Sequence, residues 1–321
     1  MKTPWTFWRR AARVVAALIG ATLLGLGPAP KAQVVPPPID DQRLEQYCAP
    51  HMGAEPTTSN GSIRRFGDYE VFLCPQGFTQ LYLIAVHGVV LEINDQQEVK
   101  VDYFGDDATG TGMPVLILTV RTGAACCSVA LVYEISPRRF RPLGTIDGGF
   151  GAIRWDHVPG RPSVVATVGD STFAYWRTDA ADIAIPQVRL EYHPFADEFR
   201  LSPALMTMGR PSDAELQAEA ALLKPKIDIT AHSGQRSVSY DVPPALWDRM
   251  LRLIYAGQGN LAKQFLEWAW PDDAASRTIF WHELAECNLA HSPYFEDVYY
   301  LNHWPVSRTP PAGCQNWSDL F

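Results

Sequence analysis

The sequence predicts an α+β fold: an N-terminal β-rich repeat domain, propeller-like or sandwich, followed by a small α-helical domain. Three observations predict it. From about Phe66 to His193, short runs rich in Val, Ile, Leu, Tyr and Thr are separated at regular spacing by Gly, Pro, Asp and Asn. One segment in this region is echoed: Asp107 and Asp156 lie 49 residues apart, and Pro114 and Pro162 lie 48 apart. A period of that length suits one small antiparallel sheet per repeat. From Met206 onward the alternation gives way to helical periodicity with recognisable caps.

Taken in order, the chain opens with Lys2, Arg9, Arg10 and Arg13, no acid among them, then the apolar stretch Val14–Gly27 and small residues near Ala29 and Ala32. This is the pattern of a secretory signal peptide, with Arg9-Arg10 also compatible with twin-arginine export. The apolar run is too short for the roughly 20 residues of a membrane span. We therefore expect a periplasmic or secreted protein whose mature chain has no stable membrane span. Removing residues 1–32 strips five positive charges and no negative ones, so the net charge falls from −8 to −13. An acidic mature chain lacks the basic footprint that nucleic acid requires. The layout is a signal peptide at 1–32, a proline-rich irregular segment at 33–59, a β-repeat domain at 60–205 and a helical domain with an aromatic, disulfide-stapled tail at 206–321.

The strand candidates are YEVFLC, TQLYLIAV, VVLEI, PVLILTV, SVALVYEI, SVVATV, STFAYW and QVRLEYH. Among the helices, RPSDAELQAEAALLKP carries Ser212 and Glu215 as a capping box and Pro225 as a stop. In PPALWDRMLRLIYAG, Leu246, Trp247, Met250, Leu251 and Ile254 share one face, and Gly257 ends the helix. NLAKQFLEWAW forms a short helix before Pro271, and the span from Asp272 to Pro293 forms another.

Several constellations are candidates for chemistry. The Asp107 loop keeps Gly110 and Gly112 but offers one carboxylate, and calcium wants six to eight oxygen ligands. A plain turn explains it better, and no cofactor is expected. His282 and Glu286 sit at i and i+4, where a zinc protease helix has two histidines, and His291 or His303 could add a third ligand. This supports an alternative reading as a metal-dependent hydrolase. Phe173, Tyr175 and Trp176 are candidate ligand-binding aromatics, although aromatic residues at such spacing more often fill cores.

Six cysteines, at 48, 74, 126, 127, 287 and 314, permit many connectivities. Cys314 pairs most simply with Cys287. Cys126 and Cys127 point to opposite faces if they lie in a regular strand, and so reach different partners. If they bond to each other, the backbone must distort. A strained vicinal pair would be a candidate ligand platform or a thiol-redox site.

Thr122, Gly123, Ala124, Cys126 and Cys127, together with Phe173 to Trp176, give the chain a resemblance to a group of secreted bacterial proteins. These combine a Gly-Gly-Ala-His-Cys-Cys segment, a downstream Phe-Ala-Tyr-Trp and degenerate FG-GAP/VCBS-like β-repeats. The chain has Ala125 where that pattern has His. The resemblance covers about Phe104 to Pro203 and implies a β-repeat fold without implying an activity. The function expected is a non-catalytic binding or scaffold module for a protein or carbohydrate ligand, with Cys126, Cys127, Phe173, Tyr175 and Trp176 as its ligand-binding residues.

Overall fold

The computed structural model describes residues 62–74, 79–85, 88–96, 98–121, 128–136, 139–174, 176, 185–230, 239–305 and 314. The signal segment, the proline-rich segment, Cys48, Cys126, Cys127 and Tyr175 lie outside the described residues.

Strands follow one another as three four-stranded antiparallel sheets in sequence order. The first holds β1 (Ser62–Phe66), β2 (Tyr69–Cys74), β3 (Thr79–Ala85) and β4 (Gly88–Gln96). The second holds β5 (Glu98–Asp106), β6 (Val115–Arg121), β7 (Ser128–Ser136) and β8 (Arg139–Gly149). The third holds β9 (Arg154–Asp156), β10 (Val165–Gly169), β11 (Gln187–His193) and β12 (Glu198–Leu201). Helices follow: α1 (Pro203–Met206), α2 (Asp213–Leu223), α3 (Pro244–Tyr255), α4 (Gly259–Ala269), α5 (Ala274–Trp281) and α6 (Phe295–Leu301). A short pair, β13 (Asp228–Thr230) with β14 (Ser239–Asp241), interrupts them. The chain is thus a mixed α+β protein. Among the described residues no sheet closes into a barrel, and no helix is long and apolar enough to cross a membrane.

The run VLILTVR explains how the sheets stack. Successive strand residues face opposite ways, yet β6 is apolar on both sides. Leu116, Leu118 and Val120 pack with Val71, Leu81 and Leu83 of the first sheet. Val115 and Ile117 face the other way, into a core shared with Ala166, Val168 and Leu190 of the third sheet. The second sheet is therefore covered on both faces. The same core runs on without a break into Leu246, Trp247 and Met250 of α3, Phe265 of α4 and Phe280 of α5. Core residues between Ala108 and Leu201 and between Leu216 and Val298 consequently share one apolar interior, across the point where the sequence changes texture.

The turns carrying the sequence echo occupy equivalent places, between the first and second strands of the second and third sheets. Asp107 serves its own loop: its carboxyl accepts from Thr109 Oγ1 at 3.0 Å, Thr111 N at 3.1 Å and Gly112 N at 2.7 Å. The two turns meet. Val164 N donates to Ala108 O at 2.9 Å, and Gly110, at φ +71, lies against Pro162.

Ser171–Phe173, the first half of STFAYW, is not a strand. Asp170 caps a short 3-10 turn, Ser171–Phe173, accepting from Thr172 N. Short polar side chains that bond the local backbone favour caps and turns over ladders, and here this outweighs the β-forming texture of Thr, Phe and Tyr.

A polar clamp ties β8 to the β11–β12 turn. Arg141 donates from Nε to Glu134 at 2.9 Å and from its guanidinium nitrogens to Asp197, which also accepts from Tyr192. The Arg141 and Tyr192 hydrogen bonds hold the Asp197 carboxyl below its usual range. A depressed acid contributes stability above its unfolded pKa, and that stability is lost as pH falls through the folded value. Asp197 is partly exposed, so the contribution stays within about 1 kcal/mol. Acid titration of unfolding should show wild type and Arg141→Ala converging below pH ~4 and separating above it; a constant separation would count against the pair.

Candidate functional site

Cross-strand register builds the first part of the site. Thr167 of β10 pairs with Arg154 of β9 on one side and Arg189 of β11 on the other. Directly paired residues point to the same face, so Arg154, Thr167 and Arg189 form one row across the third sheet. Neighbouring strands lie about 4.8 Å apart, which sets the two arginine Cα atoms roughly 10 Å from each other. The alternate residues, Ala166 and Leu190, face the core.

The row floors a cleft of about 690 Å³. Opposite stands α3, whose Asp248, Leu251, Arg252 and Tyr255 follow i, i+3, i+4, i+7 spacing and so share a stripe. Leu205, Met206 and Met208 give it an apolar end. Four arginines and two aspartates line it, in a chain of net charge −8. Arg249 faces Glu219 at 3.1 Å and Arg252 faces Asp248 at 2.9 Å. Among the described residues, the guanidinium groups of Arg154 and Arg189 make no ion pair and no hydrogen bond, while Arg189 N donates to Met206 Sδ at 3.3 Å. The cleft thus combines apolar walls with two unneutralised guanidinium groups, each a planar five-donor fork suited to carboxylate, sulfate or phosphate.

Behind the cleft lies a buried polar node. Asp170, 1% exposed, accepts from Thr172 N at 2.9 Å, from the Thr172 hydroxyl, and from the hydroxyls of Tyr255 and Ser292. Burial pushes the Tyr255 hydroxyl well above its ordinary pKa, with the Asp170 charge adding to the shift. Burial also raises Tyr294, whose hydroxyl donates to Asp147 O at 2.8 Å. Both phenols are therefore fixed as donors. The node locks the end of β10 to α3 and to the segment before α6, holding the two cleft walls at a set spacing.

The second cluster lies where α5 gives way to a π-helix, His282–Asn288. His282 Nδ1 meets Glu286 Oε2 at 2.7 Å, and its Nε2 faces Cys287 Sγ at 3.6 Å. Cys287 and Cys314 are at disulfide distance, their Cα atoms 5.2 Å apart. An α-helix advances about 100° per residue, leaving a residue five positions on about 140° away. The wider π turn, whose hydrogen bonds run i to i+5, brings Cys287 round to His282 while keeping Glu286 in reach. The Tyr299 hydroxyl donates to Ala285 O at 2.8 Å within this segment. His282, Cys287 and Cys314 place their ligating atoms within 4.8 Å of one another. Neither His291 nor His303 belongs to this group.

Phe173 and Trp176 are in the interior. Trp176 packs against Phe173, Trp247 and Phe280 at 5.7–6.1 Å between ring centroids, so these two rings fill the core instead of facing a groove. Cys126, Cys127 and Tyr175, the remaining candidates, lie outside the described residues. Cys74 is disulfide-bonded. Arg154 and Arg189 escaped the sequence reading because register, not spacing, unites them. Cys287 escaped because an α-helical wheel separates it from His282. No family model matches the chain, and neither curated proteins nor solved structures show a match to it.

Proposed function

We propose that the protein is an exported, non-catalytic binding module whose cleft between the third sheet and α3 holds a small anionic ligand with an apolar body. In this reading the successive sheets are blades of a propeller-like array, and the helices form one wall of the ligand site. The observation that carries it is the Arg154–Thr167–Arg189 row: two arginines engaged in no ion pair, flanking a hydroxyl, on the floor of a cleft that Asp156 also lines and that falls within the usual 300–1,000 Å³ of ligand sites. An acidic protein that keeps a cationic concavity concentrates anions there.

The test uses 8-anilinonaphthalene-1-sulfonate, an aromatic sulfonate that matches both halves of the cleft. One molecule should bind per chain, weakening with added salt and with inorganic sulfate. Arg154→Ala and Arg189→Ala should each cost about tenfold in affinity, the equivalent of one charge-assisted hydrogen bond. Unchanged binding by the folded double variant would rule the cleft out.

A further inference from the structure

We infer that His282, Cys287 and Cys314 form a zinc site that becomes available when the Cys287–Cys314 disulfide is reduced. This inference is independent of the arginine cleft. Its basis is the arrangement around the imidazole. Nδ1 lies 2.7 Å from Glu286 Oε2 and Nε2 lies 3.6 Å from Cys287 Sγ; in the tautomer that donates Nδ1–H to Glu286, the Nε2 lone pair is directed at that sulfur. A disulfide sulfur has no proton to offer that lone pair. The neutral ring offers that lone pair to a thiol or to a metal shared with the sulfur, and the ligating atoms of His282, Cys287 and Cys314 lie within 4.8 Å of one another.

The spacing suits the metal. Tetrahedral zinc with a Zn–N bond of ~2.05 Å and Zn–S of ~2.3 Å separates the nitrogen from the sulfur by about 3.5 Å and two sulfurs by about 3.8 Å. The first distance is already present. The second requires the sulfurs to part by rotation about their side-chain bonds, from backbones 5.2 Å apart. A carboxylate on the outer nitrogen of a ligating histidine is the usual second layer of such a site, and Glu286 occupies that place. Cys287 is buried while His282 and Cys314 are half-exposed, so an ion approaches from the Cys314 side.

The chemistry balances with a dithiol reductant. The dithiol gives two electrons and two protons to the S–S bond and becomes a cyclic disulfide, leaving two cysteine thiols. Zinc then binds both sulfurs, their two protons pass to solvent, and Nε2 donates its lone pair. The fourth tetrahedral position is left to water.

The test uses the full chain, reduced anaerobically with a dithiol and titrated with cobalt(II), then zinc. The expected result is one cobalt per chain with thiolate-to-cobalt charge-transfer and tetrahedral visible bands, displaced by zinc, and no such bands in the oxidised chain. Glu286→Gln should weaken binding by about 10- to 100-fold, and His282→Ala should abolish the bands. The Cys287→Ser/Cys314→Ser double variant keeps His282 and the other four cysteines, so it should bind nothing comparable. Circular dichroism reports whether each protein is folded. A folded, reduced wild type without cobalt bands would overturn the site. So would bands that survive in the His282→Ala protein or in the double-serine protein.

Discussion

Asp170→Ala is expected to lower stability by about 3–5 kcal/mol in urea unfolding, among the largest losses any single substitution here should give. The side chain is buried and accepts from four donors on three stretches of chain. Alanine removes the acceptor shared by the buried hydroxyls of Tyr255 and Ser292, and losing a buried acceptor costs about 1–3 kcal/mol per stranded donor. It also removes the cap of the 171–173 turn. Tyr255→Phe, which removes one of the four donors, should cost about 1 kcal/mol, and Ser292→Ala should cost more because it also takes the acceptor from Tyr294 N. Double-mutant cycles with Asp170→Ala should then show strong coupling. A loss under about 1 kcal/mol for Asp170→Ala would mean that the node does not hold the sheet to the helices. Because Tyr255 lines the cleft, the same variant should also loosen the anion site, which separates this node from a core position remote from it.

Gly110→Val is the second large effect. Gly110 sits at φ +71, and a Cβ there would lie 2.4 Å from the Pro162 carbonyl carbon. Left-handed backbone costs an ordinary side chain about 1–2 kcal/mol, and the clash with backbone adds to it because Pro162 cannot swing aside as a flexible side-chain tip would. A total above about 3 kcal/mol is expected. Gly160 provides the control: its φ is +80, but nothing lies within 4 Å of the place a Cβ would take. Gly160→Val should therefore show the conformational cost alone. Equal losses in the two variants would place the whole effect in backbone strain and none in the contact between turns.

Much of the fold was legible. YEVFLC and QVRLEYH form strands over those same residues, because alternation and turn residues act locally. The Ser212–Glu215 capping box starts α2 as its spacing implies. The five apolar residues assigned to one face of α3 are all buried. What stayed hidden depends on contacts between distant segments. STFAYW has strand texture, but the buried donors around Asp170 decide its conformation, and they come from residues 255 and 292. Arg154 and Arg189 lie far apart in sequence and become neighbours only through Thr167. His282 and Glu286 were visible as a pair, while Cys287 required a π turn that no periodicity announces.

The two-sided burial of β6 constrains the order in which the chain can mature. With Leu116 and Leu118 committed to the first sheet and Val115 and Ile117 to the third, the second sheet has no solvent-tolerant face of its own. A nascent chain that has released only its first two sheets still carries a bare apolar surface, and the strands that cover it end at Leu201. That third sheet is in turn finished by α3, some forty residues later. A chain cut short before α3 is therefore expected to bury its first-sheet contacts yet expose the other face of β6, leaving apolar surface bare instead of leaving a smaller finished protein.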